Sequence, residues 1–368
     1  MALLKRAEIG FIALVAAYVA ICWGITLATG FGVHFTPLMY LGTGLQITGT
    51  FLLGYILYRL ARVLWILSLS LRAKRSNPES DWIAASALRP PRNDGSIYHI
   101  IFEDLKRGPL RPELYTRALP VFIGFVFFFS TFTSMKVLIA PIQPFVWDEF
   151  FMRADRLIHF GIDPWRILQP LFGYPWMTKM IAFIYVLWLP MFFMVLYWQL
   201  FRLQDEKLRM QFFYSFVLTW AVNGTFLAIV FSSAGPCFYE HVLHSDYYQP
   251  LFDYLHSVNE NFRIYALSTQ ERLWENFNSG DRMLGDGISA FPSVHVATAF
   301  LFVLAGWHAG KWWFRGFLAF FVMILIGSVH LGWHYAVDGY FAVLTTWGLW
   351  WVSEKMVVGL NRNRGKLF

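Results

Sequence analysis

The chain reads as an all-α polytopic membrane protein of about eight transmembrane helices, the last six forming its core. Three observations predict this. Of its 368 residues 57% are apolar and only 14% charged, too little polar surface to cover a soluble domain. Apolar residues gather in windows of about 20, the length that crosses a bilayer as a helix, at 9–29, 41–66, 118–140, 177–200, 211–233, 290–309, 314–330 and 334–357. Seventeen Trp and seventeen Tyr suit helices that end repeatedly at lipid–water boundaries.

The opening "MALLKRAEIGFIALVAAYVAICWG" has the outline of a signal peptide. Its apolar run is long enough to span and no small-residue cleavage site follows, so it reads as a retained helix. With the second window it makes a two-helix N-terminal piece, 1–71. A basic connector, 72–117, follows with nine Lys/Arg among Pro and Gly, a composition suited to anionic lipid. The core occupies 118–358 and a short basic tail 359–368.

Charge sorts the connections into two sets. Lys5, Arg6, the 72–117 connector, Arg202, Lys207, Arg209, Lys311, Arg315, Arg362, Arg364 and Lys366 fall on one side. The other side is poorer in Lys/Arg and holds Asp148, Glu149, Asp155, Asp163, Glu240, Asp246 and Asp253. The positive-inside rule then puts both termini in the cytoplasm, and an even number of spans agrees in placing them on one side. The net charge of +7 therefore belongs to membrane flanks and does not point to nucleic acid. Two outer loops stand out. Residues 141–176 mix Trp, Phe and charge and read as short interfacial helices; residues 234–288 are long enough to be functional. Cys22 sits in an apolar run far from Cys237, which does not suit a structural disulfide.

Two polar stretches break the apolar body. "FPSVH" puts Ser293 and His295 at the outer start of the sixth window, and "HLGWHYAVDG" puts His330, His334 and Asp338 where the seventh turns into the eighth. The topology brings both to one outer face, and ionisable groups at membrane depth are functional candidates. His334 and Asp338, four apart, share a face if helical. The carboxylate can then fix the imidazole tautomer and leave the other ring nitrogen free to act. Pro292 opens a helix whose unpaired N–H groups suit an anion. Ser293 adds a hydroxyl, and His295 can protonate a leaving oxygen. That set suffices for phosphoryl transfer.

Blander readings stand beside this one. His295 alone can be a satisfied helix-start histidine. His330, His334 and Asp338 could instead ligate Zn, although a turn near Gly332 would move His330 off the common face. His241, His244 and Asp246 read as a solvated loop, Arg282 as either a phosphate contact or a solvated charge, and Asp286 as turn chemistry in "GDG". A transporter would scatter polar groups at mid-depth through several spans; here they cluster near one face.

The two stretches resemble the second and third signature motifs of the type-2 phosphatidic acid phosphatase superfamily, which implies a six-helix catalytic core of that kind. The third motif normally reads Ser-Arg, five residues, His, three residues, Asp; here Gly327–Ser328 stands where Ser-Arg should be. Val294 occupies a usual Gly. The first motif, Lys, six residues, Arg-Pro, has no match, and "KRGPLRP" at 106–112 has the wrong spacing on the wrong side. Pro-Ser-aliphatic-His with His-Tyr-x-x-Asp and no Arg looks like the inositol phosphorylceramide synthase branch, as does "SSAGPCFY" at 232–239.

The resemblance implies a phosphohistidine on His334, oriented by Asp338. His295 would be acid and then base, while Ser293 and the Val294 backbone hold phosphoryl oxygens. It implies no metal or other cofactor. The expected partners are a lipid phosphate or phosphodiester donor, an alcohol or water acceptor, and membrane lipids; homo-oligomerisation is left open. Phosphate cations would come from side chains, with Arg282 first, then Arg263 and Arg272, and with a hydrogen bond from His330. The expected reaction is headgroup transfer at the extracytoplasmic face; the alternative is hydrolysis of a lipid phosphate or polyprenyl diphosphate.

Overall fold

The computed structural model describes residues 6–32, 35–76, 104–106, 111–202, 204–279 and 286–362. Arg282, most of the basic connector including 107–110 of its "KRGPLRP", and the end of the basic tail lie outside the described residues. Among the described residues the regular elements are helices throughout. In chain order they are α1 (Arg6–Thr29), α2 (Pro37–Ser76), α3 (Pro112–Ile142), α4 (Asp148–Ile158), α5 (Pro164–Phe172), α6 (Pro175–Val186) and α7 (Trp188–Leu200). There follow α8 (Glu206–Ala221), α9 (Tyr239–Leu243), α10 (Gln249–Asn261), α11 (Tyr265–Ser279), α12 (Val294–Ala309), α13 (Lys311–His330) and α14 (Ala336–Arg362).

Six helical stretches among the described residues are long and apolar enough to cross a membrane: Arg6–Thr29, Pro37–Trp65, Pro112–Ile142, Pro175–Leu200, Glu206–Val230 and Lys311–His330. The two remaining expected spans fall short of that standard for different reasons. α12 is apolar but has only 16 residues, because its first turn begins at Val294 rather than at 290. α14 has 27 residues, but its Trp, Thr, Gly and Ser dilute the apolar character. The fourth span is broken at Leu187 into α6 and α7. Pro190 explains the break, since it has no N–H to bond the carbonyl four residues back.

The chain divides into two compact units. Leu38–Pro120 is one; inside it Arg59 holds Asp104 through Nε at 2.7 Å and Nη2 at 2.5 Å. The other joins the chain up to Pro37 with everything from Val121 onward, so α1 belongs with the body and not with α2. The reason is a buried stripe, Phe11, Val15, Tyr18 and Cys22, at helical spacing. Tyr18 shares a 2.8 Å hydrogen bond with Thr225, and the Tyr214 hydroxyl donates to the Ala7 carbonyl at 2.9 Å. Cys22 and Cys237 are both free thiols.

Within the body, α12 packs against α13, α14 and α8, while α8 also meets α14 and α1. Aromatic rings fill the space between α3 and α8, with Phe132 and Trp220 at 4.8 Å and Phe125 and Phe216 at 5.4 Å. Both long connections carry short helices among the described residues. Loop 141–176 carries the amphipathic α4 and α5. Loop 234–288, expected to be functional, contains α9, α10 and α11.

Candidate active site

The site forms where α12 and α14 begin. Ser293 is the N-cap of α12, its Oγ accepting the Val296 N–H at 3.4 Å. Its own N–H donates to the Asp338 carbonyl at 3.3 Å, which ties the two motif stretches together. Ser293 is fully buried, whereas Val294 and His295 are only partly so. The His295 ring stacks on Tyr185 (5.3 Å, 20°) and lies 4.2 Å from the Trp188 ring, whose Nε1 donates to the His295 carbonyl at 3.0 Å. Across from it, 6.3 Å between ring centres, stands His334.

The expected helical face for His334 and Asp338 is not how they meet. His334 precedes α14, which starts at Ala336. Gly332, at φ +72°, turns the chain in a conformation that favours glycine, and the Ser328 carbonyl then accepts both the Trp333 and His334 N–H at 3.0 Å. Asp338 sits in the first turn of α14 and reaches back. Its Oδ2 accepts the Tyr335 N–H at 3.1 Å, the geometry of a capping box, and lies 3.3 Å from His334 Nδ1. One oxygen thus starts the helix and orients the imidazole. The Ala290 carbonyl is a further acceptor beside the same ring.

His330 does not join this group. It ends α13 fully buried, with Nε2 2.8 Å from Thr178 Oγ1, itself 2.7 Å from the Tyr254 hydroxyl. The turn at Gly332 separates it from His334, so the trio His330, His334, Asp338 is not assembled. Among the described residues no three His, Cys, Asp or Glu side chains are grouped as a metal site needs. Of the expected cations, Arg272 pairs with Asp286 at 2.8 Å, and Arg263 is exposed over the Tyr265 ring. Asp286 is more than a turn residue: it is buried and also accepts from Asn276 at 2.9 Å.

The cation that sequence reading missed is Lys136, near the end of α3. Among the described residues it is the one cation that acts electrostatically on both His295 and His334, and it also acts on Asp286. A signal was present. Lys136 is followed by six residues and then Gln143–Pro144, the spacing of the first motif with Gln in place of Arg. A Lys inside an apolar window was the feature to notice.

Two more unforeseen groups hold the site from outside. Asp148 and Asp155, on one face of α4, are both buried. Asp148 accepts from the Ser233 hydroxyl (2.9 Å), the Ala234 and Gly235 N–H groups (2.9 and 2.8 Å) and the Tyr335 hydroxyl (2.9 Å). Asp155 accepts the first N–H groups of α14, Ala336 at 2.8 Å and Val337 at 2.9 Å. Burial pushes the Asp155 carboxyl up to about 7, although those two bonds act to lower it.

Val294 fits because of Gly224, which lies in the π-helical segment Val222–Leu227 after α8. A Cβ on Gly224 would come within 2.6 Å of the Phe132 ring and 3.0 Å of Val294 Cγ2. Overpacking of this kind costs about 1–3 kcal/mol. Gly224→Ala is therefore expected to lower the melting temperature of the purified protein in nanodiscs, and Val294→Ala in that background to recover part of the loss. Equal melting of Gly224→Ala and wild type would mean the contact is not tight.

These features define a multi-pass integral membrane protein with a His–Asp pair facing a second His at the entry of two helices. A family model described as the PAP2 superfamily matches residues 149–352, more than half of the chain. The chain belongs to that superfamily, and is a lipid enzyme of the phosphatase or phosphotransferase type. The matched segment runs from α4 into α14 and holds Asp155, Ser293, His295, His334 and Asp338; Lys136 precedes it. No curated protein and no solved structure gives a significant match.

Proposed function

We propose that the protein moves a phospho-headgroup, of the inositol-phosphate kind, from a lipid donor to an alcohol or lipid acceptor through a phosphohistidine at the extracytoplasmic face. The observation that carries this is the His334–Asp338 contact facing His295 across 6.3 Å. With Nδ1–H directed to Asp338, the Nε2 lone pair of His334 attacks phosphorus. The P–O bond to the donor alcohol breaks, and His295 gives that oxygen its proton. His295 then takes the proton of the acceptor hydroxyl, whose oxygen attacks phosphorus as the P–N bond breaks. The Ser293 hydroxyl and the N–H of Val294 at the start of α12 hold phosphoryl oxygens. Lys136 supplies positive charge.

Two features favour transfer from a phosphodiester over a monoester. Gln143 and Ser328 are neutral where the superfamily motifs carry Arg, and a diester bears one negative charge where a monoester bears up to two. Hydrolysis is the second reading, with water in the acceptor's place. In this reading both termini are cytoplasmic. That placement rests on the Lys/Arg bias of the connections, and on Trp312 under Lys311 and Arg315 at the α12–α13 turn.

The test offers the purified protein, in nanodiscs, headgroup-labelled phosphatidylinositol with a ceramide or diacylglycerol acceptor, and separately phosphatidic acid. Label appearing in the acceptor lipid is expected. Release of inorganic phosphate from phosphatidic acid, with no labelled acceptor, would replace transfer by hydrolysis. Accessibility of a terminal tag in sealed vesicles decides the orientation.

A further inference from the structure

We propose that Asp148 and Asp155 are positioning residues that hold the His334–Asp338 half of the site from α4, a helix outside the membrane spans. The inference rests on the reading that this half performs the chemistry.

The geometry is specific. Asp148 and Asp155 are seven residues apart, two turns, and so share one face of α4. Both carboxylates are buried and, among the described residues, neither has a Lys or Arg partner in an ion pair. A buried carboxylate is costly unless its oxygens are satisfied by hydrogen bonds. Here the donors are six neutral groups, and all belong to segments that build the site.

Asp155 takes the two N–H groups that open α14, and so acts as a cap supplied from another helix. Those groups lie between Tyr335 and Asp338 in sequence. Their position sets where Asp338 stands in the first turn and how far Oδ2 reaches toward His334. Asp148 takes the Tyr335 hydroxyl and the 233–235 backbone, and the Ser233 carbonyl in turn accepts the Ala290 N–H at 2.8 Å. Ala290 leads directly into the Ser293 cap. One helix face therefore fixes both motif stretches. Between the two carboxylates α4 also presents Phe151, stacked on Phe291 at 4.2 Å, just before Pro292.

The groups facing Asp155 are His159 at the C-cap of its own helix, Asp338 and Tyr340 on α14, and Tyr248 at the start of α10. As pH falls through about 7 the Asp155 carboxyl gains a proton, and one of its two accepting oxygens becomes a hydroxyl. The clamp on α14 loosens in that direction.

The experiment uses the full chain in phosphatidylcholine nanodiscs with Asp155→Ala, Asp155→Asn and Asp148→Asn. The first readout is the rate of His334 carbethoxylation by diethyl pyrocarbonate, followed by peptide mass spectrometry, which needs no substrate. The second is steady-state turnover of phosphatidylinositol or phosphatidic acid, whichever the wild type uses. A displacement of about 1 Å at a catalytic group costs on the order of 100-fold. Asp155→Ala is therefore expected to lower kcat by about that factor, with KM nearly unchanged, and to alter the His334 modification rate severalfold. Asp155→Asn keeps one acceptor and is expected to recover most of the loss. The wild type is expected to show an acid-side fall in kcat near pH 7, and Asp155→Asn to remove it.

An unchanged modification rate and kcat in Asp155→Ala would overturn the proposal. So would equal loss in the Ala and Asn variants with an unaltered pH profile. Should Asp155→Ala fail to fold, the pH profile and His334 modification of Asp155→Asn decide. Should the wild type turn over neither lipid, the proposed headgroup transfer fails, while the carbethoxylation rates still decide the positioning.

Discussion

His334→Ala abolishes turnover of the lipid donor, with an expected loss of at least about 1,000-fold in kcat, the scale seen when a nucleophile is removed from a coupled triad. The size follows from the arrangement. His334 is the imidazole whose Nδ1 faces a carboxylate, with His295 placed opposite. Neither Ser293 nor Tyr335 can replace it: the Ser293 oxygen caps α12, and the Tyr335 hydroxyl is held by Asp148. His295→Ala separates the two imidazoles. It is expected to slow turnover of a donor with an alkoxide leaving group, while a donor with a nitrophenol leaving group, which departs without a proton, still labels His334. Rapid acid-free quench and mass spectrometry of the His334 peptide read this. A labelled His295 peptide in place of His334 would reverse the roles, and wild-type turnover by His334→Ala would end the mechanism.

Lys136→Met carries the second largest effect. Charge accumulates on the equatorial oxygens of the transferring group, and a preorganised donor aimed there is worth about 100- to 1,000-fold. Lys136 is the described cation that acts on both imidazoles, and Gln143 and Ser328 bring no charge. The loss is expected in kcat/KM, with Lys136→Arg retaining more activity than Lys136→Met. Inorganic orthovanadate, a mimic of the transferring group, should inhibit the wild type and bind Lys136→Met far more weakly. Equal vanadate inhibition of the two would remove Lys136 from the site. Loss of melting temperature in Lys136→Met, without loss of vanadate binding, would assign it a packing role.

The two motifs were legible because they are local. Ser293 caps the helix that begins one residue later, and Asp338 reaches back to Tyr335 and His334 within a single turn. Spacing alone encodes such contacts. The bond pattern between His334 and Asp338 was legible too, though the reason differed: the expected shared helical face is a capping geometry, because the Gly332 turn keeps His334 outside the helix. His330 shows the limit of a linear reading. It lies four residues from His334, yet that turn directs it to Thr178 and Tyr254.

Composition and period were enough to determine an apolar helical bundle, and the motifs to mark two short stretches able to carry phosphoryl chemistry. Each of these is a property of neighbouring residues or of averages over about 20 of them. Only the tertiary structure decided which distant groups complete the site. Asp148 and Asp155 looked like markers of the outer side; they are buried acceptors that hold Tyr335 and the start of α14, 187 and 181 residues away along the chain. Lys136, inside an apolar window and passed over in the linear reading, acts electrostatically on both imidazoles. The physical reason is shared. A buried charge must find partners or a ligand, and which ones it finds depends on how helices pack.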